Sequence, residues 1–236
     1  KVDALLVAGD IFDHAQPSAE AQGLYYRFLS RLSRTGVRAA VVVGGNHDSP
    51  SRLEAPRAVL ADLGVFVVGG MRADEESWGR CLYPLRSASG EVELVVAAVP
   101  FVHEHRLGLK TSLVDPEVLR QAFRERFAFL YSFLTSRALE LGAGAPVVAT
   151  GHLSCVGGDL NDGQVPIHVA ATTDGLPAET FDPRLAYVAL GHFHRHFRVK
   201  ESPARYSGTP VPLTACESAT PRQVLLVDVP GGDDAP

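Results

Sequence analysis

Four short clusters of polar residues, each directly after an apolar run, carry the residue types that bind divalent metal ions. They are Gly9-Asp10-Ile11-Phe12-Asp13, Gly45-Asn46-His47-Asp48, Gly151-His152 and Gly191-His192-Phe193-His194. A carboxylate, an amide oxygen and several imidazoles form a donor set that suits Mn²⁺, Fe²⁺ or Zn²⁺ better than Ca²⁺. Because a carboxylate can bridge two ions that together hold phosphoryl oxygens, these residues predict a dinuclear site for phosphate-ester hydrolysis.

Each cluster also has a purely structural interpretation when it is taken alone. Gly-Asp or Gly-His after a strand is most often an ordinary turn. The Gly45–Asp48 cluster is more specific, because average residue usage gives such a match about once per thousand chains of this size. His192 and His194 are two residues apart in an extended segment, which places both side chains on one face. The occurrence of all four clusters in one chain favours a metal site.

The elements that must position these clusters are short apolar strands that alternate with amphipathic helices. Helices are expected over about 19–35, with Ser18 as N-cap, over 51–63 and over 116–141. The last of these carries an apolar stripe, namely Leu119, Phe123, Phe127, Leu130, Leu134 and Leu141. Strands are expected at 3–12, 38–43, 65–68, 81–85, 92–101, 146–150, 165–169, 186–190, 196–200 and 223–229. The alternation followed by a meander predicts an α/β fold, a two-sheet β-sandwich flanked by helices.

Composition bounds the class of protein. The chain has 236 residues, 46% hydrophobic and 21% charged, which indicates one globular core, expected over 1–230, and a short tail over 231–236. No apolar run approaches the roughly 18 residues of a membrane span. Cys81, Cys155 and Cys216 form no CxxC pair, which favours reduced thiols in the cytoplasm. A net charge of −5 argues against a broadly basic DNA-binding surface.

The ordered series GDxxD, GNHD, GH and GHxH resembles the calcineurin-like metallophosphoesterase superfamily. GNHDSPSR at 45–52 and YSGTPVPL at 206–213 are similar to the SbcD family of nuclease subunits within it. The resemblance implies a four-layer α/β/β/α architecture. It also implies two bound divalent ions, with Mn²⁺ most expected and Fe²⁺, Zn²⁺ or Mg²⁺ as alternatives.

The resemblance also implies a role for each matched residue. Asp10 would bridge the two ions, and His194 would bind one of them. The other ion would be completed by Asn46, His152 and His192. His47 would face the scissile phosphate, and the carboxylate of Asp13 would orient His47 as a carboxylate–imidazole pair.

Basic and imidazole side chains beside these motifs are candidates for contacts with DNA. Those on or next to the predicted elements are Arg52, Arg57, His103, Arg195, His196 and Arg198. A plain exposed hairpin is an equally good interpretation of the last three. The sequence leaves both possibilities open.

The function implied by the resemblance is a metal-dependent nuclease in double-strand-break repair. Such subunits act as 3′–5′ exonucleases on duplex ends and as endonucleases on single strands or hairpins. They work with an SbcC-type ATPase, commonly as a homodimer within a heterotetramer in the nucleoid-containing cytoplasm. One alternative is a phosphodiesterase or phosphatase for small nucleotides.

A second alternative is a catalytically silent binding module. The superfamily places an Asp-x-His before GDxxD, whereas here Asp3 is followed by Ala4 and Leu5. We therefore expect the core to lack its first strand and two metal ligands, so that the second metal site would be weak. The regions that cap DNA and dock the ATPase in SbcD-like proteins are expected to be absent too.

Overall fold

The computed structural model describes residues 2–109, 115–155, 175–219 and 221–230. Within them, strands form two sheets. The first is parallel and three-stranded, in the order β1 (Ala4–Ala8), β2 (Ala39–Val43) and β3 (Val65–Val68). The second is mixed and six-stranded, in the order β4 (Leu82–Arg86), β5 (Val92–Ala97), β6 (Val147–His152), β7 (Tyr187–Gly191), β9 (Ala204–Tyr206) and β8 (Phe197–Arg198).

The described residues form four α-helices, of which the first and the last begin at a residue whose side chain caps the helix. They are α1 (Ala19–Leu32), α2 (Pro50–Glu54), α3 (Arg57–Ala61) and α4 (Pro116–Gly142). Ser18 caps α1 as predicted, because its hydroxyl accepts the Ala21 N–H at 3.1 Å. The helix predicted over 51–63 is instead two short helices, since Pro56 between them has no N–H to continue the first.

The central strand β2 of the three-stranded sheet is buried on both faces, and its alternate residues face opposite layers. Val41 and Val43 belong to the core shared with the six-stranded sheet. Val42 belongs to a second core that includes Leu29 of α1 and Leu53 of α2. Helix α4 packs on the six-stranded sheet, mainly against β5. These layers confirm the predicted two-sheet sandwich flanked by helices.

Helix α4 presents the predicted stripe to the core except at its last position. Phe123, Phe127, Leu130 and Leu134 are buried, whereas Leu141 is 44% exposed. Leu141 lies in the final turn, where the chain leaves the sheet towards the left-handed C-cap at Ala143.

Two expected strands in the second half of the chain have different outcomes. The expected strand over 223–229 is wrong: no strand is assigned to the described residues 221–230, and Val224 and Leu226 are 81% and 77% exposed. Apolar alternation alone does not make a strand without a neighbouring strand to pair with. The strand expected over 165–169 lies outside the described residues.

Two further differences concern short elements around the last hairpin. Strand β9 was not expected, because its three residues are too few to show a period. The strand expected at 196–200 is reduced to the two residues of β8. In the described part of the chain no helix combines the length and hydropathy that a membrane crossing requires.

Candidate metal centre

The four clusters meet at one edge of the sandwich because each follows the carboxyl end of a strand. Asp10 follows β1, Asn46 follows β2, His152 ends β6 and His192 follows β7. Strand β1 pairs in parallel with β2, and β6 pairs in parallel with β7, so neighbouring strand ends lie side by side. Ligands of α/β proteins commonly bind at this edge.

The glycines of these clusters allow the two sheets to approach closely. Gly9 has φ +88°, and a Cβ there would overlap the imidazole of His152. A Cβ on Gly191 would overlap the carbonyl of Ala8, which lies in the other sheet. Both positions therefore require glycine, because any side chain would push the candidate ligands apart.

His152 is the best-defined ligand candidate. Its side chain is 1% exposed, and Nδ1 lies 2.8 Å from the carbonyl oxygen of Ala8, which can only accept a hydrogen bond. Nδ1 therefore carries the proton and leaves a lone pair on Nε2. That nitrogen faces Asn46 Oδ1 at 3.0 Å and Asp10 Oδ2 at 3.2 Å.

Three electron-pair donors facing one another repel unless a positive charge, a metal ion or a proton, lies among them. Ligands at right angles around one ion, each about 2.1 Å away, are about 3 Å apart. The observed distances of 3.0 and 3.2 Å match that separation. The residues therefore fit a divalent ion held by one carboxylate, one amide and one imidazole.

The other predicted ligands join this group to different degrees. His192 is 6% exposed, and its ring centroid lies 5.6 Å from that of His152. The Nδ1 of His194 instead lies 2.8 Å from Glu217 Oε1. Among the described residues, no three His, Cys, Asp or Glu side chains converge closely enough to hold an ion by themselves. The three close donors are the carboxylate of Asp10, the imidazole of His152 and the amide of Asn46, and an amide is not among those four residue types.

Two of the four non-glycine residues with positive φ in the described part of the chain lie at this edge. Asp10 has φ 50° and His192 has φ 101°, values that residues with a Cβ rarely adopt. Each such conformation costs about 1–3 kcal/mol and persists only where the surrounding structure enforces it. The fold therefore holds both side chains in place at a cost in stability, which is typical of functional sites.

The Asp10 carboxyl is ionised at neutral pH, as a metal ligand must be. Burial acts to raise its pKa, but the hydrogen bond and charge of His152 oppose that effect. The N–H of His47 adds a hydrogen bond to Oδ1 at 3.1 Å. Together these contacts hold the pKa of Asp10 below its ordinary value.

Asp48 has a structural role that the sequence did not reveal. Its carboxylate is buried and accepts the N–H groups of Ile11, Phe12 and Gly45 at 3.0, 3.0 and 2.8 Å. It therefore ties the loop after β1 to the loop after β2, which carry Asp10 and Asn46. Burial raises the pKa of Asp48 although the three N–H donors oppose that shift. In the sequence, only its place in the GNHD motif pointed to a role for Asp48.

His47 is oriented differently from the expectation. Its Nδ1 lies 2.6 Å from the main-chain carbonyl oxygen of Asp13, which accepts a hydrogen bond from it. The carboxylate of Asp13 is 95% exposed and lies 3.7 Å from His14. The expected carboxylate–imidazole pair is therefore wrong, and the Asp13 backbone takes its place. Nε2 of the exposed His47 is left for proton exchange.

Glu217 and Arg222 were missed by the sequence reasoning. Glu217 is 7% exposed, and its second oxygen lies 3.2 Å from Nη2 of Arg222. Nη1 of Arg222 donates to the main-chain carbonyl of His194 and to Thr209 Oγ1, both at 2.8 Å. This buried ion pair therefore fixes both the ring and the backbone of His194. No local spacing links these residues, because they lie more than 20 positions after His194.

The six candidates for DNA contact lie in different environments. Arg52, His103, Arg195 and His196 are exposed. Arg57 directs Nη2 towards the Tyr83 hydroxyl at 3.5 Å, and Nε of Arg198 donates to the Ser202 carbonyl at 2.9 Å. The last contact closes the turn of the β8–β9 hairpin, which favours a structural role for Arg198. For the others, contact with DNA stays a prediction.

The family model described as calcineurin-like phosphoesterase matches residues 1–196. The chain belongs to this family. Membership of this family accounts for the two-sheet sandwich and implies divalent metal ions.

The names of individual relatives point to one group within this family. The chain is 39% identical, over 98% of its length, to the SbcD subunit of nuclease SbcCD from Rhodobacter capsulatus. The SbcD subunits from Bacillus subtilis and Escherichia coli (strain K12) are each 32% identical, over 100% and 98% of the chain. The chain spans 58%, 58% and 56% of the lengths of these three relatives.

Proposed function

We propose that this chain is the phosphodiester-cleaving core of a DNA nuclease subunit that acts at DNA ends. The observation that carries the proposal is the convergence of Asp10, Asn46 and His152 on one point. The exposed His47 lies beside them, and its main-chain N–H donates to the Asp10 carboxylate. A phosphodiester is the substrate class that suits such a donor set beside an imidazole.

The residues of the site would hold the divalent ions and supply a proton. Asp10, Asn46, His152 and His192 would hold one divalent ion, most simply Mn²⁺, and Asp10 would share a second ion with His194. When bound, the ions supply Lewis-acid polarisation of the phosphate and lower the pKa of water. Nε2 of His47 would hydrogen-bond the phosphate and donate a proton to the leaving oxygen.

The names of the relatives favour DNA over a small nucleotide as substrate. Each of them is named as the SbcD component of a nuclease, SbcCD. By that analogy the protein would cleave duplex ends as a 3′–5′ exonuclease and single strands or hairpins as an endonuclease. It would do so in the cytoplasm with an SbcC-type ATPase, as a homodimer within a heterotetramer.

His47→Ala tests the proposal in the protein as its gene encodes it. We expect DNA cleavage to fall about 10²- to 10⁴-fold, the range for loss of a general acid, while Mn²⁺ binding stays close to that of the wild type. Nuclease assays with Mn²⁺ titration by calorimetry measure both quantities. Unchanged DNA cleavage would contradict the role of His47.

The same assays separate the alternative functions. We expect the nuclease to leave a duplex with blocked ends intact, because its exonuclease action needs a free end, and to cleave a DNA hairpin by its endonuclease action. A small-nucleotide phosphodiesterase would cleave neither of these two DNA substrates. A wild-type protein that binds no Mn²⁺ and cleaves no phosphodiester would favour the silent binding module. Two Mn²⁺ ions per chain would exclude that module.

A further inference from the structure

The segment after β5, residues 101–109, is anchored firmly beside the metal centre. The N–H of Phe101 donates to the Gly44 carbonyl at 2.8 Å, next to the loop that carries Asn46. At the other end, Nε of Arg126 on α4 donates to the Leu107 carbonyl at 3.0 Å. The buried side chain of Leu107 faces the core. This segment therefore presents its outward side chains from a rigid support.

Two of those outward side chains are stacked imidazoles. His103 and His105 are exposed, their ring centroids are 5.4 Å apart, and the interplanar angle is 24°. The ring of Phe101 meets His103 edge-on at 4.6 Å and meets His152 at 6.4 Å with an interplanar angle of 90°. A row of rings therefore runs from the candidate ligand His152 to the surface.

The distances along this row suit a nucleic-acid strand. Only two ring-to-ring steps, 6.4 Å from His152 to Phe101 and 4.6 Å from Phe101 to His103, separate the candidate metal ligand from His103. A phosphodiester at the metal centre therefore has its flanking bases within reach of His103. Aromatic faces bind unpaired bases with little sequence preference, because every base has a π face.

The charge state of His103 favours stacking over ion pairing. Burial, His105 and Arg106 lower its pKa, against the opposing effect of Glu104. His103 is consequently neutral near pH 7 and is not repelled by divalent ions bound nearby. An exposed neutral imidazole offers a flat ring, whereas a protonated one would pair with phosphate.

We propose that His103 and His105, the histidine platform, stack on an unpaired nucleobase next to the scissile phosphate. The ligand class is a single-stranded or frayed DNA end. This inference rests on the proposed nuclease function and adds the element that holds the base. It does not depend on which divalent ion the metal centre takes.

His103→Ala and His103→Phe test the platform against two matched DNA substrates. One carries a normal base beside the cleaved bond, and the other has an abasic site at that position. With the normal base we expect kcat/KM to fall about tenfold in the alanine variant, equivalent to about 1.4 kcal/mol, within the range for base stacking. The phenylalanine variant, which keeps a flat ring, should stay within about twofold of the wild type.

The abasic substrate is the internal control. The wild type should cleave it about tenfold less well than the normal substrate, and His103→Ala should leave its cleavage unchanged. A 2-aminopurine base at the same position should be quenched on binding to the wild type but not to His103→Ala, a readout independent of activity. Mn²⁺ affinity should be equal in all three proteins.

Each contrary outcome identifies what is wrong. If the wild type cleaves DNA and His103→Ala cleaves it equally well, the platform is overturned and the nuclease function stands. Equal losses on both substrates, or a phenylalanine variant as weak as alanine, would also overturn stacking. A wild type that cleaves no DNA would instead overturn the proposed function.

Discussion

His152 and His194 are both candidate metal ligands, but the fold orients them by different means. His152 donates from Nδ1 to a main-chain carbonyl, that of Ala8 at the end of β1. His194 contacts a buried carboxylate, Glu217, which is itself paired with Arg222. Both orienting contacts are made through Nδ1, and only the second depends on charged side chains.

This difference separates a backbone-built half of the site from a side-chain-built half. No substitution of a single side chain removes the Ala8 carbonyl, so the orientation of His152 is secured by the pairing of the strands. The orientation of His194 depends on one ion pair between the described segments 207–219 and 221–222, which contain few regular elements. The two halves should therefore respond differently to mutation, and three substitutions test that expectation.

Asp48→Ala should have the largest effect and should damage the half around His152. The change removes the acceptor of three N–H groups, two buried and one part-buried, so we expect the free energy of unfolding to fall by about 3 kcal/mol. Urea denaturation measures the change. Asp48→Asn, which keeps one acceptor oxygen, should lose about half as much. A loss below about 1 kcal/mol for alanine would contradict the role of Asp48 as the tie between the two loops.

Glu217→Gln should have an intermediate effect, confined to the half around His194. The variant keeps the size of the side chain but removes the charge that faces His194 and Arg222. We expect the weaker Mn²⁺ site to lose about 10- to 100-fold in affinity while the tighter site is unchanged. Calorimetric titration resolves the two sites. Equal weakening of both ions would show that Glu217 supports the whole edge.

Asp13→Ala should have the smallest effect, because the Asp13 carboxylate is exposed and the imidazole of His47 bonds the main-chain carbonyl of Asp13. We expect kcat for DNA cleavage to change by less than about twofold. A fall as large as that of His47→Ala would restore the carboxylate–imidazole pair that the sequence suggested. The comparison of the two variants in one nuclease assay decides between these interpretations.

The sequence could predict most of the half around His152 and little of what supports His194. Asp10, Asn46 and His152 each follow an apolar strand, and parallel strands bring their carboxyl ends together, so local patterns were sufficient. Glu217 lies in a short 3₁₀ turn, Ala215–Ala219, that no hydrophobic period marks. The sequence did not reveal its partner Arg222, because an ion pair between loops depends on how the loops pack and not on their spacing in the sequence.

The same reasoning explains the other errors. The strand expected at 223–229 requires a neighbouring edge that alternation cannot reveal. The resemblance gave the role of orienting His47 to the carboxylate of Asp13, whereas the backbone of Asp13 makes the contact. The break of the expected helix at Pro56 could have been predicted, because proline cannot donate an N–H.

The position of bound Mn²⁺ tests the central claim most directly. Crystals grown with Mn²⁺ should show an anomalous peak about 2.0–2.3 Å from Asp10 Oδ2, Asn46 Oδ1 and His152 Nε2. The hydrogen bond from His152 Nδ1 to the Ala8 carbonyl, now 2.8 Å, should be retained. An ion bound without His152, or through its Nδ1, would contradict the account of a ligand set built by the backbone.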